Sequence, residues 1–123
     1  MRHAFKKLHK IYVYGTLMKN DGRPKIDVHG RMFDLGWYPG VIAIGVAPTV
    51  VKCEVIEVDD KALRDLDAYE GYNEHRPYDS LYIRKWLDDG WIYQYNHDPV
   101  GGVVVASGDW ADYLIKKKEL ISG

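Results

Sequence analysis

The chain has 123 residues, 46% hydrophobic and 28% charged, which suits one folded core and excludes a disordered segment. With 17 basic and 18 acidic residues the net charge is −1, so no strong field for nucleic acid or an anionic membrane is expected. One cysteine, Cys53, rules out an intramolecular disulfide.

The opening stretch MRHAFKKLHK is basic, but the apolar run of a secretory leader does not follow it. No stretch reaches the roughly 18 apolar residues of a membrane span, and no Asn-x-Ser/Thr acceptor occurs. A cytoplasmic protein is the expectation. KIYVYG (Lys10 to Gly15) reads as a strand ended by glycine, and TLMKNDGRP leaves it as a turn or short helix, then a loop. KIDVHGRMFDLG (Lys25 to Gly36) alternates apolar and polar positions around Val28, Met32 and Leu35. VIAIGVAP and VVKCEVIEV read as two further strands. In the second, Val51, Cys53 and Val55 share a face, which makes Cys53 a buried structural thiol rather than a nucleophile.

Asp59 and Asp60 cap the helix that follows, and Gly71 suits its end. SLYIRKWL and WIYQYN flank Asp88-Asp89-Gly90, a hairpin turn signal. VVVASG is a short apolar strand, and Asp109 then caps WADYLIKKK, a last helix whose lysines complement its negative end. Strands joined by short turns, with one helix in mid-chain and one late, predict a single α+β domain over residues 1–123. Its sheet is expected to be mostly antiparallel and curled into a small β-barrel packed with a few helices.

Several chemistries lack their residues. The five histidines make neither HExxH nor a Cys/His set with metal-ligand spacing, so no metal is expected. There is no GxxxxGK[ST], no GxGxxG and no Gly-x-Ser-x-Gly elbow, so neither a nucleotide cofactor nor a nucleophilic serine is expected. The lysines at 116–118 read as a solvated helix face.

Two positions break local rules. Leu63, Leu66 and Glu70 stand at i, i+3 and i+7, which puts a carboxylate on the apolar stripe, one residue before the helix stop. The negative helix end and desolvation both disfavour its charged form, so both raise its pKa toward the range of a general acid or base near neutral pH. The other reading has Glu70 turn to water or pair with Arg76 or Arg84. In the second position, Gly15 lets backbone approach a ligand, and the amides after it would be free donors for an anion; the plainer reading is an ordinary strand-to-turn glycine.

Four stretches in order carry a resemblance: VYGTLM, GRMFDLGWYPGV, LDAYEGYN and SLYIRKWL. Together they resemble the gamma-glutamylcyclotransferase-like superfamily, which includes gamma-glutamylamine cyclotransferase and the AIG2-like proteins. VYGTLM resembles its Tyr-Gly-Ser/Thr-Leu signature, and LDAYEGYN the helix end holding its catalytic glutamate. The resemblance implies a small β-barrel fold and a cofactor-free enzyme. It implies that Glu70 is the acid/base, that Tyr14, Gly15, Thr16 and Leu17 hold the substrate, and that Tyr82 lines the cavity. The implied partner is a small gamma-glutamyl substrate, cyclised to 5-oxoproline with release of an amine. A non-catalytic module binding an amino-acid-like ligand or a partner in the same cavity is the alternative. Eleven residues separate Glu70 from Tyr82, a longer connection than in short cyclotransferases, so the 71–80 loop is a candidate to reshape the cavity mouth. Neither the amine released nor the oligomeric state follows from the resemblance.

Overall fold

The computed structural model describes residues 7–122; the first six residues of the basic opening segment, with His3, lie outside them. Strand β1 (His9–Val13) is buried at Ile11, Tyr12 and Val13, because it runs through the middle of a sheet covered on both faces. It pairs antiparallel with β5 (Val50–Val58), which in turn pairs with β2 (Ile26–His29). On its other side β1 runs parallel to β7 (Gly90–Tyr95), the partner of β6 (Tyr82–Leu87) in a hairpin. The sheet order is β2-β5-β1-β7-β6. A second sheet of three strands places β3 (Arg31–Asp34) between β4 (Pro39–Ile42) and β8 (Val103–Val104). All pairs but β1 with β7 are antiparallel, as expected. The sheets share one core, but these ladders do not join them into a closed barrel.

Helix α1 (Asp60–Tyr69) starts where Asp59 accepts a hydrogen bond from the Ala62 amide at 2.9 Å. It stops at Gly71, in left-handed backbone with φ 68°. There the Gly71 amide reaches the Ala68 carbonyl at 3.1 Å and the Tyr72 amide reaches that of Asp67 at 2.8 Å, the Schellman arrangement. Leu63 is buried and Leu66 packs against the core. The hairpin loop is Asp88–Asp89, with Asp88 at φ 54°. Gly90 follows because a Cβ there would stand 2.8 Å from the Tyr12 ring and 3.0 Å from the Lys10 carbonyl, closing the space β1 occupies.

Five expectations change. The Lys25–Gly36 pattern breaks at Gly30, and its halves join different sheets as β2 and β3. The strand expected at Val41–Pro48 ends at Ile42, because Ala43 (φ 56°) and Gly45 (φ 86°) turn the chain. Only Val103 and Val104 of VVVASG join the sheet; Gly108 (φ 66°) turns the chain toward the last helix. That helix, α2 (Trp110–Ser122), runs past Lys118 through Glu119 and Leu120, so the three lysines sit mid-helix rather than at its negative end. Lys117 is also not simply solvated: its ammonium donates to buried Asp34 at 2.8 Å. No helix among the described residues is long and apolar enough to cross a membrane.

Candidate active site

A cavity of about 400 Å³ opens between the two sheets and the end of α1. That is within the size of ordinary small-ligand pockets, roughly 300–1,000 Å³. The end of β1 and its following turn supply Tyr14, Gly15, Thr16 and Leu17. The β3–β4 connection supplies Trp37, Tyr38 and Pro39, the end of α1 supplies Tyr69 and Glu70, and β6 supplies Tyr82. All six residues expected at the site therefore line one space, although 56 positions separate Tyr14 from Glu70. The 71–80 loop does not line it. Instead Ser80 and Asn96 fold that loop back on itself, Asn96 donating to the Pro77 and Ser80 carbonyls at 2.8 and 2.9 Å.

Glu70 is the C-cap of α1, half-buried, and its carboxyl is pushed up to about 7 by loss of solvent. Among the described residues its side chain has no hydrogen-bond or ion-pair partner. The two arginines that could have paired with it are taken: Arg76 bonds Asp79 at 2.8 Å, and Arg84 grips Asp67 through two bonds of 2.9 and 3.1 Å. A carboxylate held out of water with nothing to balance it is poised to take a proton near neutral pH.

The turn opposite closes with the Met18 amide donating to the Gly15 carbonyl at 3.0 Å. The amides of Gly15, Thr16 and Leu17 donate to no described residue, so they remain free for a ligand. The two buried tyrosines play another part. The Tyr14 hydroxyl donates to the Tyr93 carbonyl at 2.6 Å and that of Tyr82 to the Pro39 carbonyl at 2.7 Å. Burial raises the pKa of both phenols well above its usual value, so they build neutral walls.

A family model for "Gamma-glutamyl cyclotransferase, AIG2-like" matches residues 11–112. The chain belongs to this family. The Escherichia coli K12 gamma-glutamylcyclotransferase family protein YtfP is 28% identical over 115 residues, covering 84% of this chain and 96% of YtfP. BH1612 of Halalkalibacterium halodurans, named a "Putative gamma-glutamylcyclotransferase", is 35% identical over 98 residues, covering 74% of this chain and 86% of BH1612. Two solved structures share the fold. The uncharacterised Pyrococcus horikoshii protein PH0828 has a TM-score of 0.65 and 18% identity, over 90% of this chain and 97% of that one. The solution structure of Escherichia coli YtfP has a TM-score of 0.63 and 24% identity, over 85% and 97%.

Three features of this gamma-glutamyl cyclotransferase, AIG2-like chain escaped the sequence reading. Glu54 is fully buried and accepts the Lys19 and Asn20 amides at 2.7 and 2.9 Å, with Arg23 Nε 3.9 Å away. It faces Val13 across the β1–β5 ladder, at the point where the chain leaves β1 to form the turn. In VVKCEVIEV the one-sided alternation placed Glu54 opposite buried Cys53, which reads as a solvent face; only the burial of both faces of β5 makes it a clamp. Asp67, one turn before Glu70, accepts from Tyr93 at 2.6 Å as well as from Arg84, and so pins α1 to β6 and β7. Trp37 stands 93% exposed at the cavity mouth. Its only signal was the aromatic pair Trp37-Tyr38 just before Pro39. Cys53 is buried, and desolvation pushes its thiol up to about 12, as a structural cysteine requires.

Proposed function

We propose that this chain is a cyclotransferase that converts a gamma-glutamyl amine or peptide into 5-oxoproline and a free amine, with Glu70 as its acid/base. The observation that carries the reading is the unpaired, half-buried Glu70 carboxylate lining one cavity with a turn of free amides. The carboxylate takes a proton from the substrate's α-ammonium. The freed amine attacks its own gamma-carbonyl, forming the ring C–N bond, and the gamma-amide C–N bond breaks as the intermediate collapses. The α-nitrogen gives up two protons in all and the departing nitrogen gains two, each relayed by Glu70, so the amine leaves as an ammonium and no net proton is released. The amides of Gly15 to Leu17 hold the substrate's carboxylate or the developing oxyanion. Folding the substrate within the aromatic walls brings its amine against its own carbonyl and supplies the proximity term. The chain's own residues suffice for this sequence of steps, with no cofactor in any of them.

The test is release of 5-oxoproline from a panel of gamma-glutamyl amides and dipeptides, measured beside the Glu70→Gln variant. Turnover by the native protein and its loss in the variant are the expected result. Equal turnover by the two would overturn the role of Glu70, and no turnover of any compound would favour the non-catalytic binding module.

A further inference from the structure

The cavity has two chemically distinct sides. One is the turn of free amides from Gly15 to Leu17. The other, toward the mouth, is Trp37, Tyr38 and Leu81, with the Tyr69 ring between the two sides, its hydroxyl bonded to Thr16 Oγ1. None of the described residues lining the cavity is Lys, Arg or His, and Glu70 is its only carboxylate. The rings at the mouth are open to a ligand: Trp37 is 93% and Tyr69 66% exposed, and both line the cavity.

We propose that the mouth is an anion-excluding subsite for the leaving amine, selecting carboxylate-free amines with an aromatic or apolar group, and that Trp37 is the specificity-determining residue that packs over that group. This rests on the cyclotransferase reading of the same cavity. A gamma-glutamyl dipeptide releases an amino acid, whose carboxylate would be a second anion in the cavity. With the amides engaged by the glutamyl moiety, the donors that remain are neutral hydroxyls and the Trp37 indole N–H, none of them a cation. The aromatic faces carry the negative side of the ring quadrupole, and the Glu70 carboxylate lies on the same cavity. Such an anion gains no opposing charge from the lining residues and is repelled by the Glu70 carboxylate. A ring in the same place stacks on Trp37 and Tyr69 and removes their apolar surface from water.

The experiment compares kcat/KM of the native protein for three conjugates: gamma-glutamyl benzylamide, methylamide and glycine. The benzylamide is expected to exceed the methylamide by about 10- to 100-fold, the worth of burying one ring. The glycine conjugate is expected to fall at least about tenfold below the methylamide. Trp37→Ala should shrink the benzylamide-to-methylamide ratio toward unity, and Trp37→Phe should restore most of it; since Trp37 is exposed, neither variant removes core packing. Glycine conjugate turned over as fast as methylamide, or a ratio untouched by Trp37→Ala, overturns the inference while leaving the cyclotransferase reading intact. If none of the three is turned over, the cyclotransferase reading fails. Calorimetric binding of the same compounds to the native protein then decides the subsite: the same order of affinities supports it, and equal or absent affinities overturn it.

Discussion

Thr16 Oγ1 and Tyr69 Oη lie 3.2 Å apart, a hydroxyl-to-hydroxyl hydrogen bond tying the turn after β1 to the last residue of α1. Both residues line the cavity, and Tyr69 immediately precedes Glu70. The bond therefore sets the distance across the site between the free amides and the carboxylate. It is exposed, so its worth in stability is small, about 0.5–1.5 kcal/mol. Thr16→Val and Tyr69→Phe should each leave the melting temperature within a few degrees of the native value. KM for a gamma-glutamyl amide should rise by about 3- to 10-fold, the same energy expressed as affinity, with kcat changing less. Steady-state kinetics on both variants check this; an unchanged KM means the bond has no part in binding.

Glu70→Gln keeps the side chain's size but not its ability to accept a proton. Turnover should fall by about 10²- to 10⁴-fold, the usual worth of general acid–base catalysis. Stability near pH 8 should hold or rise, because the substitution removes an unpaired, desolvated charge from the negative end of α1. Melting temperature and 5-oxoproline formation, measured on one preparation, separate this outcome from a structural role, in which stability falls and turnover per folded molecule is kept.

The pH dependence follows from the same group. The folded state raises the Glu70 carboxyl from 4.5 to about 7, so it binds the proton more tightly than the unfolded chain does. Its contribution to stability is fully present below about pH 4.5 and is lost as pH rises through about 7. The loss is at most about 3.5 kcal/mol, at about 1.4 kcal/mol per pKa unit. Catalysis requires the ionised form, so kcat/KM should climb over the interval in which this contribution to stability declines. Urea unfolding and kcat/KM measured from pH 5 to 8 test the opposition, with Glu70→Gln as the control in which the stability component disappears. A flat kcat/KM across about pH 6 to 8 would show that no such base titrates there.

Glu54 offers a test of how the turn is held. Glu54→Ala strips the Lys19 and Asn20 amides of their acceptor inside the fold, at about 1–3 kcal/mol for an unsatisfied buried donor, with a cavity cost added. Glu54→Gln keeps the volume and one carbonyl oxygen but turns an NH2 toward the second amide. The expected order of melting temperatures is native, then Gln, then Ala. In the Gln variant KM should rise more than kcat falls, because the amides at Gly15 to Leu17 are displaced while Glu70 is not. A pH profile with its midpoint unchanged would confirm that Glu70 is left alone, and a shifted midpoint would contradict it.

Local chemistry was enough to place α1, both of its caps, the Asp88–Asp89 hairpin and the turn after β1, since each depends on residues within a few positions of one another. Glu70 was legible for the same reason: a carboxylate on an apolar helical stripe, next to a stop glycine, conflicts with its surroundings within one helix. Alternation alone could not say that β2 and β3 part at Gly30 or that VIAIGVAP turns after two residues, because strand ends are decided by partners far along the chain. Nor could it reveal that β5 is buried on both faces, which turns Glu54 from a surface residue into the anchor of the turn. The company Glu70 keeps is likewise a tertiary fact. Arg84 lies 14 positions from Glu70 and could have neutralised it, but the fold gives that guanidinium to Asp67 and leaves Glu70 without a partner. Sequence determines which groups can ionise or donate; only packing decides which of them meet, which lose water, and which are left unpaired.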